Sequence, residues 1–444
     1  MKNYSYKLLK KDVNEHKIYI KKDIFGFLTL GIINAFMVFR GTLPILYVLQ
    51  LLFVLYGILF VLKNHGRIGL NIYCRFYIFF GIWSMSSYIW AINKSMALNS
   101  IISIIQIITI CIIMSFYINS LNRVNRILYF IALSSLVMLV YFIIKTPLTD
   151  WKDAIWGGYS ASTSQGRFGR AIGHHPNSFG DLCSISALVW FYFYLLNKNK
   201  FNLIIMMIFS VMVLFSKSRI SLLTLVFNIL YLILIYRKRK KNKIYIIAII
   251  IGALIILSWA IFNIPVLYEL VGYRMEAMMG IINHSYMIDA STNTRINMIK
   301  YGFEMFKSNP ILGVGIGNYA YYGYHIYGLF AEVYSHNNYI EMLSNIGIVG
   351  FISYYFIPVY TCIKLRKLVN ILTGRERILC AFLFVIMISR LIGDFGRVSY
   401  LDEIVQIINM LCYSSIFAFI KMKSRDSEND KKNNEKNCME YNYR

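Results

Sequence analysis

The sequence predicts an all-α, polytopic membrane protein with about 12 transmembrane helices and a large outer loop between spans 9 and 10. Three observations predict it. Apolar residues make up 58% of the 444-residue chain and charged residues only 15%. Apolar runs of roughly 16 to 22 residues recur along nearly the whole length, enough to cross a hydrocarbon core at about 1.5 Å per residue. Basic residues are unevenly shared between the connections: 32 of the 46 Lys and Arg fall in segments that alternating spans place on one side, as the positive-inside rule demands.

The spans are expected near residues 24–39, 42–62, 72–92, 98–118, 125–144, 178–197, 200–216, 219–236, 243–263, 345–364, 377–393 and 403–421. The first follows a basic segment and has no small-residue cleavage site after it, so it reads as a retained span. Residues 1–23 are then a cytoplasmic tail, 24–421 the transmembrane domain and 422–444 a second cytoplasmic tail. The run from Arg237 to Lys243 pins its loop to the cytoplasm. The inner segments carry 9 acidic against 32 basic residues, so most of the net charge of +25 sits where anionic lipid head groups attract it. Nucleic-acid binding is not needed to explain it, and no nucleic-acid partner is expected. The 7 cysteines are scattered without a CxxC pair, which indicates neither a disulfide framework nor a zinc site.

Two outer loops, about 145–177 and 264–338, collect the polar residues. His174, His175, His284, His325 and His336 fall in them, with Arg167, Arg170 and Arg295. In the larger loop, Ile296, Ile299, Phe303 and Phe306 recur at three- and four-residue spacing, which predicts an amphipathic helix along the membrane surface, ended by Pro310. Arg295 falls in its first turn, after the possible caps Ser291, Thr292 and Thr294. A cation there opposes the helix dipole, so local helix stability does not explain it. It is either a surface arginine beside the head groups or, with neighbouring amides, an anion holder.

In SHNNYIEMLSNIGIVG, Asn338 and Glu341 form a capping-box variant that starts a helix near Tyr339 and leaves His336 just outside its N-terminus. The dipole there favours a neutral imidazole, able to take a proton from a hydroxyl; a polar interfacial residue without chemistry is the alternative. Ser216 to Arg219 form a very short outer hairpin that aims Arg219 toward a cavity or lets it snorkel. Gly313-Val-Gly-Ile-Gly317 has no strand before it and reads as a flexible turn. Gly173 and Pro176 shape the loop from Arg170 to Asn177, and Asp394 ends the eleventh span, where it orients a basic group or caps a turn.

The segments SKSR before a span, TRINMIKYGFEMFKSNPILGVGIGNY in the large loop and SHNNYIEMLSNIGIVGFISYY opening the next span, in that order, resemble the O-antigen ligase and O-antigen polymerase (Wzy-like) superfamily, over about Arg167 to Tyr355. The resemblance implies a metal-independent membrane glycosyltransferase, without cofactor, acting outside the membrane on an undecaprenyl-diphosphate-linked oligosaccharide. It implies that Arg219 and Arg295 bind the diphosphate and that His336 is the base for the acceptor hydroxyl. Arg170, Asn337 and Asp394 are further expected substrate contacts. Membrane lipids, and flippase and chain-length regulator proteins, are the implied partners. Polymerase is favoured over ligase because the bias toward Ile, Lys, Asn and Tyr suggests an AT-rich genome, and such members usually sit in polysaccharide clusters. A transporter would show internal repeats and interrupted midplane helices, and no convincing repeat is present.

The topology is testable with single cysteines in a Cys-free background. A cysteine near Gly315 is expected to label in intact cells and one in the 364–377 loop only after permeabilisation; the reverse pattern would overturn the orientation.

Overall fold

The computed structural model describes residues 23–39, 44–65, 71–156, 167–236 and 290–441, with scattered positions between 252 and 276. Most of the expected ninth span, the 237–243 loop, His284 and most of the N-terminal tail lie outside the described residues. Among those described there is no strand. In chain order the helices are α1 (Ile24–Phe39), α2 (Pro44–His65), α3 (Ile72–Ser86), α4 (Lys94–Tyr117), α5 (Leu121–Lys145), α6 (Leu148–Trp156), α7 (Pro176–Asn197), α8 (Lys200–Phe215), α9 (Arg219–Tyr236), α10 (Ala290–Ser308), α11 (Tyr319–His325), α12 (Asn338–Ile371), α13 (Gly374–Gly393) and α14 (Glu403–Tyr441). A helix therefore stands at each expected span outside 243–263. Among the described residues six of these helices, α4, α5, α7, α9, α12 and the Glu403–Ser424 part of α14, are long and apolar enough to cross a membrane; α1, α8 and the Tyr47–Lys63 stretch of α2 are shorter and apolar.

Sequence chemistry explains most helix ends. Asn71, Asn93 and Asn199 each accept a backbone N–H of the first turn of α3, α4 and α8, satisfying donors that have no partner inside the helix. Several ends differ from expectation, two of them notably. The third span stops at Ser86, short of residue 92, and α14 runs on as helix to Tyr441, well beyond the span expected to end at 421.

The two most internal spans are α14, 83% of whose apolar window is buried, and α7, at 78%. Helix α7 packs on α8 and α9, α1 on α2 and α5, and α12 on α3, α10 and α13. At one end of the bundle, Arg126 and Tyr117 converge on Asp23. At the other end the connections 87–93, 167–175, 216–218, 309–337 and 394–402 meet. These are the connections that the sequence reading assigned to the outer side.

Helix α12 is broken, and the break organises that end. Gly347 has φ 65° and ψ −169°, a conformation essentially confined to glycine. Carbonyls that a regular helix would satisfy are thereby released. The glycine-rich segment supplies the missing donors: Val314 N–H donates to Ser344 O (2.8 Å) and Gly315 N–H to Asn345 O (2.8 Å), while Ile348 N–H reaches Pro310 O (2.9 Å). The Trp83 indole N–H donates to Ile346 O (3.0 Å). The same segment reaches α3 and α4, because Ile316 N–H donates to Ser87 Oγ (3.0 Å) and Asn318 exchanges bonds with the Asn93 backbone. Gly313-Val-Gly-Ile-Gly317 is therefore not the flexible turn expected from its composition. It is a backbone clasp, and a Cβ on Gly313 would lie 2.5 Å from Asn345 O.

Gly347→Ala should lower the unfolding free energy by at least about 1 kcal/mol, because its methyl would also strike the Ile311 carbonyl. Gly81→Ala, whose Cβ meets only the tip of Ile108, should cost less. Thermal unfolding of detergent-purified protein measures both, and equal losses would remove the special role of Gly347.

Candidate active site

His336 has φ 56°, a left-handed backbone that a side chain larger than glycine's occupies at a cost. Its neighbours hold it there. Ser335 N–H donates to Glu341 Oε2 (2.7 Å), Ser335 Oγ donates to Asn337 O (2.7 Å), and Asn337 N–H returns to Ser335 Oγ (3.2 Å). Asn337 Oδ1 then accepts from Ile340 N–H (3.1 Å). The capping motif is thus shifted by one residue from the expected one. Asn337 is the cap, α12 starts at Asn338, and Glu341 reaches back to Ser335 instead of to the cap.

Asn338 fastens the helix start to the far loop. Its backbone N–H donates to Asp394 O (2.8 Å). Its Oδ1 accepts from the N–H groups of Ser399 (2.9 Å) and Tyr400 (3.1 Å), and its Nδ2 donates to the Tyr355 hydroxyl (2.7 Å). Asp394 is fully buried. One oxygen receives Arg390 (2.8 Å) and Tyr355 (2.8 Å), the other Ser399 (2.5 Å). Both carboxylate oxygens of Asp394 are thus engaged by side chains of the protein, Arg390 among them. Asn337, also buried, has its Oδ1 committed to the cap.

The second loop arrives through α7. Pro176 is its first residue, where a missing N–H costs nothing. His175 is its cap, the Nδ1 atom accepting from Asn177 N–H (3.2 Å). Gly173, in the left-handed conformation, closes the short turn at Arg170–Ile172. Beneath it, the rings of Phe142, Trp151, Phe168, Phe179 and Phe215 pack face and edge to anchor the loop. Arg167 joins this loop to the α8–α9 hairpin: its guanidinium donates to Asn177 Oδ1 (2.7 Å) and to Ser216 O (3.0 Å). The residues just after His175 and just before Arg219 are thereby held together.

These elements bring His175 and His336 together, with ring centroids 6.3 Å apart and planes tilted by 49°, and the Tyr334 ring centroid lies 4.3 Å from that of His336. Burial, then the positive charge of Arg295 and the nearby His175, push the His336 imidazole down to about 4. The cause differs from the expected one. Enclosure and the charge of Arg295 keep the ring neutral, rather than the dipole of α12 alone. Arg295 lies in the second turn of α10, not the first, on a helix packed against α12. The apolar stripe expected there is real and outward: Ile296, Ile299 and Phe303 are exposed while Met298 and Met305 are buried. Arg219 opens α9 and is half-buried. Arg170 is exposed and lies at the loop's edge.

Residues 185–355 match the model of a family described as O-Antigen ligase. The resemblance to the O-antigen ligase and polymerase superfamily thus holds over that segment, which includes Arg219, Arg295, His336 and Asn337, while Arg170, His175 and Asp394 fall outside it. No curated protein matches the chain.

Sequence reasoning missed three residues of the surrounding framework. Asp181, Arg390 and Arg397 sit inside spans or buried at their ends. Arg397 pairs with Asp181 (2.6 Å), which also accepts from Ser221 (2.7 Å), two residues beyond Arg219. They line a small cavity, along with Thr224, Asn228 and Ser389. Charged residues within spans were the available signal, since they are rare there without a partner or a polar cavity.

His336 should stay neutral until the pH falls to about 4, and Arg295→Gln should move its titration upward, toward the ordinary 6.5, because a cation that disfavours the imidazolium is removed. NMR titration of histidine-labelled protein reports both midpoints. An unshifted midpoint in the variant would separate Arg295 electrostatically from His336.

Proposed function

We propose that the protein is a membrane-embedded polysaccharide polymerase that joins undecaprenyl-diphosphate-linked oligosaccharide repeat units. The observation that carries this reading is the meeting of a neutral His336 with the charge of Arg295 inside the segment matched by the O-antigen ligase family. A neutral imidazole takes the proton of the acceptor hydroxyl as it attacks the anomeric carbon. Arg295 and Arg219, charged at every physiological pH, stabilise the departing diphosphate. In this reading arginine supplies the positive charge that a metal ion supplies elsewhere, and no cofactor takes part. Arg170 guides the glycan from the rim of the loop.

The reaction is assigned to the outer face of the bacterial cytoplasmic membrane, with both termini inside. The distribution of basic residues supports that orientation, as does the gathering of the predicted outer connections at one end of the bundle. Capsule, exopolysaccharide or O-antigen is the product class, and a flippase supplying donor and a regulator of chain length are the proposed partners in the cell. The matched family's character as an O-antigen ligase family favours a second reading, transfer of a finished lipid-linked glycan to a different acceptor.

Purified protein in liposomes with the lipid-linked repeat unit should yield a ladder of lipid-linked oligomers, read by gel and mass spectrometry. Transfer only after a second acceptor is added would favour the ligase reading. Arg219→Ala and Arg295→Ala should each lose most output, and Lys should restore only part, because it keeps charge without the planar two-pronged donor. His336→Ala should lose at least about a hundredfold, with donor binding retained. His336→Gln at near-wild-type turnover would place the base elsewhere.

A further inference from the structure

The second imidazole at this site lies outside the matched segment, and its geometry specifies its protonation. His175 Nδ1 accepts the Asn177 N–H, so that nitrogen carries no proton and the neutral ring bears its hydrogen on Nε2. A proton on Nδ1 would face the capping amide and the positive end of the α7 dipole. As long as α7 is capped in this way, His175 is a fixed N–H donor and a poor cation. Pro176 stiffens the chain after it, and Gly173 turns the chain before it.

The ring also has a defined side of the site. Arg167 ties Asn177 to the carbonyl of Ser216, the start of the hairpin that presents Arg219. His336 approaches from the opposite loop, with its ring centroid 6.3 Å away. One histidine therefore stands with the hairpin that carries an arginine, and the other stands with α12.

We propose that His175 is a second catalytic residue, a neutral imidazole whose Nε2–H donates to the leaving diphosphate oxygen while His336 takes the proton of the attacking hydroxyl. This rests on the glycosyl-transfer reading above. The acceptor O–H bond breaks and its proton passes to His336. The new C–O bond forms at the anomeric carbon, and the bond to the diphosphate breaks with its electron pair on the oxygen that His175 contacts. A donor to that oxygen gains strength as charge develops there, so it acts on turnover more than on binding.

The decisive variants keep the helix cap and withdraw the donor from the position of Nε2, which the shorter Asn and Ser side chains do not reach. Asn and Ser both cap helices well, so His175→Asn and His175→Ser should retain the wild-type melting temperature. With the lipid-linked repeat unit as substrate, each should lower kcat by about tenfold to a hundredfold, with donor KM changed by less than about threefold. Nitrogen NMR of histidine-labelled wild-type protein should show His175 protonated on Nε2, and this does not depend on either variant folding. Wild-type kcat in a folded cap-retaining variant, or a ring protonated on Nδ1, would overturn the proposal. If the wild-type protein forms no lipid-linked oligomer, the transfer reading itself fails; if the wild type transfers and the folded His175 variants keep its kcat, His175 alone loses its role.

Discussion

A buried carbonyl must find a donor, and at the Gly347 break that requirement sets the shape of the active end. The carbonyls of Ser344, Asn345 and Ile346 would be costly to leave unsatisfied in an apolar bundle. The amides of Val314 and Gly315 and the Trp83 indole meet them. Because those amides lie just after α10, the repair docks the large loop against α12. It therefore fixes the helix bearing Arg295 relative to the residue it influences, His336. Glycine at 313 and 347 is the steric condition for this approach, since backbone meets backbone without room for a Cβ.

The run of hydrogen-bonding residues ahead of α12 has a mechanical explanation. Ser335 and Asn337 bond across His336 and hold its left-handed backbone, Glu341 anchors Ser335, and Asn338 joins the assembly to the loop after α13. Ser335, Asn337 and Asn338 carry these bonds, and their combined effect is to present His336. Stored strain at one residue persists when its surroundings over-determine it, and here at least five hydrogen bonds do so.

Behind that assembly, Arg390 with Asp394 and Arg397 with Asp181 form buried ion pairs within or beside spans. Such pairs add little net stability, because desolvation offsets most of their attraction, but losing one partner is severe. Their geometric effect is specific. They link α13 and its following loop to α7 and, through Asn338 and Ser221, to the starts of α12 and α9. The ends of three helices that carry candidate residues are thus coupled through charged side chains that have no alternative partner in lipid.

The sequence by itself determined the helical membrane class, the presence of a helix at each described span position and the family resemblance, because these depend on local quantities: apolar run length, the placement of Lys and Arg, and short motifs. It also pointed to His336, Arg295 and Arg219, since each breaks a local preference. Only the tertiary structure decided what depends on long-range pairing. Asp394 reads in sequence as a residue at a helix end, and its burial against Arg390, Tyr355 and Ser399 follows from three distant segments. Asn338 reads as the cap until the bond from Ser335 to Glu341 moves the helix start. The glycine-rich segment reads as flexible because its partner carbonyls, exposed by a helix break some 30 residues away, leave no local trace. His175 reads as one loop histidine among several, and its place beside His336 arises because two loops separated by about 160 residues fold onto the same end of the bundle.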